Sequence, residues 1–189
     1  GGKDALIGHE TAALRAAAAD AVRSAFGFQG QKCSAASRLI LVSEIHDEVL
    51  ERVVEGAGSL RIGSPEQNHP VGPVISAAQH ASILEEIDKG RREAEVVVGG
   101  SAVDLDGGWY IQPTVFADVA PGARLAQHEI FGPVLSVIRA RDFDHAIQRH
   151  RPFASDDVLQ SVAVEIFHHQ EDDTTFGFAK ISDTDCVRM

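Results

Sequence analysis

A continuous apolar run at residues 39–42, Leu-Ile-Leu-Val, stands between two segments of helical periodicity. A strand that is apolar at every position has to be covered on both faces, the pattern of a parallel sheet layered between helices. On its amino-terminal side Leu14, Ala18, Val22 and Phe26 recur every fourth residue within an Ala-rich stretch, residues 10–26, which predicts a helix with one apolar stripe. Gly27 and Gly30 end that helix and open the loop Gly30-Gln31-Lys32-Cys33 before a strand predicted over residues 37–42. Ser43 then reads as the N-cap of a second helix, with Ile45, Val49, Leu50, Val53 and Val54 on one face.

The alternation continues through a turn-rich stretch ending near Gly72-Pro73. A helix after Ser76 buries Ile83, Leu84 and Ile87, and a strand at residues 96–98 is turned by Gly99-Gly100. Further strands are expected at residues 110–116 and 134–138, and residues 158–167 are compatible with a helix or a strand. Helices alternating with strands in this order predict an α/β fold, a mostly parallel sheet flanked by helices.

Charge narrows the function. Twenty-eight Asp and Glu against 17 Lys and Arg give a net charge of −11, and no basic stripe is left to face nucleic acid or an anionic membrane. Apolar runs fall far short of the roughly twenty residues that cross a bilayer. The two cysteines, Cys33 and Cys186, are too far apart in sequence to suggest a disulfide framework, so a reducing, cytoplasmic compartment is expected.

Two readings fit Cys33. A glycine-loosened loop lets a substrate approach a nucleophilic thiol closely, and Lys32 beside it adds positive potential; the other reading is a buried structural thiol, since free cysteine is among the most buried residue types. Glu129, directly before the turn Ile130-Phe131-Gly132-Pro133, is either a solvated turn carboxylate or a group that holds sugar hydroxyls, with Phe131 packing on a flat ring. His128 reads as a surface residue. His168-His169 lack the spacing of a helical metal pair, so no metal site is assigned, and neither G-x-G-x-x-G nor a P-loop occurs.

Several blocks taken together resemble the catalytic region of aldehyde dehydrogenases. They are Gly1-Gly2-Lys3-Asp4-Ala5, the run from Ser24 through Gly30-Gln31-Lys32-Cys33-Ser34-Ala35, Gly72-Pro73-Val74-Ile75, Ile111-Gln112-Pro113-Thr114-Val115-Phe116, and Glu129-Ile130-Phe131-Gly132-Pro133-Val134. All five stand in the family's order. The run around Cys33 is most similar to the branch that oxidises L-glutamate γ-semialdehyde to glutamate in proline breakdown. The resemblance implies an NAD-dependent oxidation of a small aldehyde in which Cys33 is the nucleophile and its main-chain N–H an oxyanion donor. It implies further that Ser34 helps hold the substrate carboxylate, that Glu129 meets the nicotinamide ribose with Phe131 beside the nicotinamide, and that members of the family form homo-oligomers.

The resemblance covers residues 1–147, expected as a catalytic domain, and residues 148–189 are expected as a divergent tail. In the family the cofactor-binding half, the general-base glutamate, the second oxyanion donor and the adenosine-ribose lysine all precede the Gly-Gly-Lys block. The expectation is therefore a chain that carries the nucleophile and turns over negligible NAD alone, or a non-catalytic segment that associates with other subunits. Near the end, Phe176 to Asp185 resembles the family's anchor loop for the substrate carboxylate. There Asp183 replaces the expected glycine and would repel a carboxylate, so Ser182 is not assigned.

Overall fold

The computed structural model describes residues 3–150 and the strand segment 164–167. The elements run β1 (Ala5–Gly8), α1 (Leu14–Phe26), β2 (Arg38–Val42), α2 (Ser43–Ser59), α3 (Ala77–Gly90), β3 (Glu95–Val98), β4 (Ala102–Val103), β5 (Tyr110–Ile111), β6 (Thr114–Ala117), α4 (Arg124–Gln127), β7 (Val134–Ala140), α5 (Phe143–His150) and β8 (Val164–Phe167). Six strands form one sheet in the order β3-β6-β7-β2-β1-β8, and β4 pairs with β5 in a small second sheet. Every pairing in the large sheet is parallel except β3 with β6, which closes one edge antiparallel. The expected α/β layering with a mostly parallel sheet is what the chain adopts.

Two-residue alternation along each strand divides the core in two. Leu6, Leu39, Leu41, Val115, Leu135 and Val137 face α1 and α2, where Ala17, Ala21, Val22, Ile45, Val49 and Val53 cover them. Ile7, Ile40, Phe116, Val134 and Ile138 face the other side, under Ile83 and Ile87 of α3 and Ala146 of α5. Neighbouring residues of β2 thus serve opposite cores, which is why that strand is apolar throughout. Ile40 is completely buried, and truncating it to alanine costs about 2–5 kcal/mol.

Several expectations are corrected. Ser43 is the first residue of α2 and not its cap: Val42 occupies the N-cap, and the Ser43 hydroxyl donates to the Ala140 carbonyl at 2.9 Å, tying α2 to the end of β7. The single strand expected over residues 110–116 is two: β5 pairs with β4 in the small sheet and β6 joins the large one, with Gln112 and Pro113 between them, and proline has no N–H to offer a ladder. β1, which had no counterpart in the sequence reading, lies between β2 and β8. The helix expected after Ser76 is α3, and Ser76 is its N-cap, its hydroxyl accepting from the Gln79 N–H at 3.2 Å. Of residues 158–167, left open between helix and strand, residues 164–167 form β8 beside β1. His168, His169, Ser182 and Cys186 lie outside the described residues. Among the described residues no helix is long and apolar enough to cross a membrane.

Candidate active site

Lys3 and Asp4 immediately precede β1, Cys33 and Ser34 precede β2, and residues 129–132 precede β7. These three strands are adjacent and parallel, with Ala5 opposite Arg38 and Arg38 opposite Ser136, so the three segments converge on the amino-terminal edge of the sheet. Open α/β sheets more often bind ligands at the opposite, carboxyl edge. The convergence explains how residues about a hundred positions apart in sequence come to share one site.

The approach to Cys33 is a left-handed turn. Phe28, Gln29 and Gly30 have φ values of 52°, 58° and 67°, a run that two side-chain-bearing residues enter only at a conformational cost. Gly30 permits the closest contact there. A Cβ at this position would overlap the Gly132 carbonyl oxygen and sit 2.7 Å from its carbon, so the turn before Cys33 and the turn after Phe131 interlock backbone against backbone. Beyond it, Ala35 N–H donates to the Lys32 carbonyl at 3.2 Å, closing a tight turn that puts Cys33 and Ser34 at the surface. Cys33 is a free, exposed thiol, so the buried-packing reading does not hold. The turn is fastened behind by Ala36 N–H on the Ser24 hydroxyl at 3.3 Å, and by the Ser37 and Arg38 N–H groups on the Asp4 carbonyl, each at 3.1 Å.

Glu129 and Phe131 flank the same turn. Phe131 has φ 55° and keeps its ring 38% exposed; Glu129 is half-buried. A small cleft of about 20 Å³ is lined by Lys3, Lys32, Ser37, Glu129 and Phe131 among others. The structure therefore brings Glu129 and Phe131 together against the Cys33 loop. Ser34 sits beside Cys33 on the exposed side. A groove of about 760 Å³ between α1 and α2 is larger, but its lining of Arg15, Ala18, Val22, Phe26, Arg52 and Glu55 holds none of the residues converging at the sheet edge.

Beneath the cleft lies a pair of buried cations that sequence reading did not single out. Lys3 is 3% exposed, and burial together with repulsion from Arg38 brings its ammonium from the ordinary 10.5 to about 7, Glu129 partly offsetting the drop. Arg38 is fully buried; its Nη2 donates to the Lys3 carbonyl, its Nε and Nη1 have no hydrogen-bond partner among the described residues, and burial lowers it to about 10 despite the nearby Asp4. Charged residues at the mouth of a strand read as solvated from sequence, and no pattern marked these two as interior. A second support stands outside the cleft. Glu86 of α3 accepts from Arg124 Nε at 2.9 Å and Nη2 at 3.0 Å, and the Glu93 carboxylate accepts from the N–H groups of Arg124 and Leu125 at the start of α4. The Arg124 hydrogen bonds hold Glu86 at about 2, well below the usual carboxylate range. Helix α4 leads directly into His128 and Glu129, so this anchor fixes the turn that carries Phe131; His128 itself is exposed, 4.0 Å from Glu86.

Two glutamines tie the loop to its surroundings. Gln31 Nε2 donates to the Phe131 carbonyl at 3.3 Å while its Oε1 accepts from the Ile75 N–H at 3.0 Å. With its amide oriented to satisfy both atoms, Gln29 donates to the Phe28 carbonyl at 2.8 Å and accepts from the Gly72 N–H at 2.7 Å. Among the described residues no group of three or more His, Cys, Asp or Glu side chains could hold a metal ion.

Comparison with known proteins shows the family of the chain. The profile of the aldehyde dehydrogenase family matches residues 1–151. The chain is 51% identical over 149 residues to the 1-pyrroline-5-carboxylate dehydrogenase of Geobacillus thermodenitrificans, covering 78% of this chain and 29% of that protein. It is 44% identical over 149 residues to the enzyme of the same name from Bacillus subtilis, with the same coverage. Among solved structures, 1-pyrroline-5-carboxylate dehydrogenase from Thermus with bound NAD superposes with a TM-score of 0.83 at 46% identity, over 90% of this chain and 32% of that one. Lactaldehyde dehydrogenase from Escherichia coli gives a TM-score of 0.81 at 27% identity. The chain spans less than a third of the length of the curated relatives it matches, 29% of the first.

Proposed function

Since the chain belongs to the aldehyde dehydrogenase family, we propose that Cys33 is the nucleophile of an NAD-dependent aldehyde oxidation and that the protein acts on L-glutamate γ-semialdehyde, the open form of 1-pyrroline-5-carboxylate. The observation that carries this reading is the exposed Cys33 thiol on a turn interlocked with the turn bearing Glu129 and Phe131. Likeness to relatives named for that substrate supports the choice of aldehyde.

The Cys33 thiolate adds to the aldehyde carbon, forming a C–S bond and converting the carbonyl to an oxyanion. The main-chain N–H of Cys33 donates to that oxyanion, a preorganised dipole of the kind that lowers such barriers most. NAD, when bound, supplies the hydride acceptor. The thioester left on Cys33 is then cleaved by water, releasing the carboxylic acid and regenerating the thiol. Glu129 would accept hydrogen bonds from the ribose hydroxyls of the bound cofactor, and the exposed Phe131 would offer a flat apolar face to its nicotinamide. The described residues suit that end of the cofactor through a half-buried carboxylate and an exposed aromatic residue on one turn. Ser34, exposed beside Cys33, donates to the substrate carboxylate. A reducing cytoplasm, expected from cysteine usage, keeps the thiol available.

Acylation tests the nucleophile without the cofactor. p-Nitrophenyl acetate transfers its acetyl group to a thiolate with loss of p-nitrophenolate, and peptide mass mapping locates the thioester. Acetylation at Cys33 faster than in an unstructured peptide of residues 30–35, and abolished by Cys33→Ala, is the expected result. Acetylation at Cys33 no faster than in the peptide would overturn the assignment.

A further inference from the structure

The loop before Cys33 is strained, and the Gln31 N–H closes it on itself by donating to the Phe28 carbonyl at 3.0 Å. Three successive left-handed residues lead into it, and their geometry persists only where surrounding groups over-determine it. Besides that bond and the close backbone contact of Gly30 with Gly132, two side chains do so. Gln31 bonds across 100 residues to the Phe131 carbonyl and across 44 to the Ile75 N–H, and Gln29, two residues earlier, bonds to the Gly72 N–H of the same segment. Ile75 itself is an exposed residue, and its N–H is held by the Gln31 side chain. Gln31 is separated from Cys33 by one residue. Its two side-chain anchors thus lie one residue from the peptide that carries the Cys33 N–H.

We propose that Gln31 is a positioning residue for the oxyanion: by docking on Ile75 and Phe131 at once, it holds the Cys33 N–H where the attacked carbonyl oxygen develops charge, with Gln29 on Gly72 as the second anchor. This rests on the reading of Cys33 as an acyl-transferring nucleophile. Gln31 touches neither substrate nor cofactor; it acts through the backbone of the loop. A displacement of about 1 Å at a reacting centre costs up to roughly a hundredfold in rate, so loosening one anchor is expected to cost tenfold or more.

Two reactions of the same sulfur separate positioning from mere accessibility. Alkylation by iodoacetamide displaces iodide at a saturated carbon and involves no oxyanion, so its rate reports thiolate fraction and access. Acetylation by p-nitrophenyl acetate passes through an oxyanion. The quantity to measure is the ratio of the two rates at Cys33, in the full chain, for the wild type, Gln31→Ala and Gln31→Met. The methionine variant keeps the length of the side chain and removes both hydrogen bonds, and it serves if the alanine variant fails to fold. Amide exchange at Ile75 confirms that the bond is gone. The expected result is a wild-type ratio above that of the peptide of residues 30–35, falling about tenfold or more in the variants while alkylation stays within about twofold. An unchanged ratio with faster Ile75 exchange overturns the role of Gln31 and leaves the nucleophile intact. A wild-type ratio equal to that of the peptide removes the oxyanion reading itself, and the role of Gln31 with it.

Discussion

A methyl group added at Gly30 would overlap the Gly132 carbonyl oxygen and lie 2.7 Å from its carbon and 2.9 Å from the Ala25 carbonyl oxygen, all of it backbone that cannot swing aside. Gly30 also has φ 67°, where an alanine costs roughly 1–2 kcal/mol from its own sterics. Overpacking a closed contact adds about 1–3 kcal/mol, so Gly30→Ala is expected to destabilise by about 3 kcal/mol in all. Gly107 provides the control: its φ is 70°, and nothing lies within 4 Å of the position of a Cβ. Gly107→Ala carries the conformational cost alone, about 1 kcal/mol. For a domain of this size 1 kcal/mol moves the melting temperature by roughly 2–4 °C. Gly107→Ala should therefore melt about 2–4 °C below the wild type and Gly30→Ala about 6–12 °C below, followed by circular dichroism on the full chain. Equal shifts for the two variants would refute the interlock of the two turns and, with it, the physical basis for placing Glu129 and Phe131 against the Cys33 loop.

Other expectations follow from the charges and caps. Lys3 has a folded value of about 7 against an ordinary 10.5, so between those limits the unfolded chain binds the extra proton and stability rises with pH, by up to about 1.4 kcal/mol per pH unit; urea midpoints should climb through that window, and Lys3→Met should flatten the climb. Glu86, held at about 2 by Arg124 against an ordinary 4.5, contributes stability present above pH 4.5 and lost as pH falls toward 2; the acid limb of the same titration should weaken in Glu86→Gln. Ser76→Ala removes the hydroxyl that caps α3 and is expected to cost about 1 kcal/mol in chemical denaturation, with Gln79 the amide whose exchange accelerates most.

The parts of the fold that were legible in the sequence are those where one local signal suffices. Leu39 to Val42 announce a strand covered on both faces, and the fourfold spacing of Leu14, Ala18, Val22 and Phe26 announces α1. The helix start after Ser76 was legible, whereas the Ser43 hydroxyl donates to the Ala140 carbonyl, 97 residues away in sequence, and does not cap α2. β1 is only four residues long, and its burial comes from β2 and β8 rather than from its own pattern. The split between β5 and β6 falls at Pro113, whose missing N–H was present in the sequence but outweighed by the apolar residues around it.

The candidate site was legible in a different way. Gly27 and Gly30 mark the loop of Cys33 from composition, but the meeting of that loop with residues 129–132 depends on strand order, with β2 beside β7, which no local pattern carries. The roles of Cys33, Ser34, Glu129 and Phe131 came from the resemblance of whole blocks. Gln29 and Gln31 carried no signal beyond being polar in a loop, because their partners Gly72, Ile75 and Phe131 are distant in sequence. Lys3 and Arg38 were passed over since charged residues are almost never interior unless paired.

The nucleophilic role of Cys33 is tested most directly by carbon NMR with an aldehyde that bears a terminal carboxylate and is 13C-labelled at its carbonyl carbon. Addition of the thiol turns a trigonal carbon into a tetrahedral one bonded to sulfur, and the resonance moves far upfield. A protein-bound thiohemiacetal signal that appears with the wild-type chain and is absent with Cys33→Ala is the expected result. The same signal persisting in Cys33→Ala, or none above that of an equimolar free thiol, would contradict it.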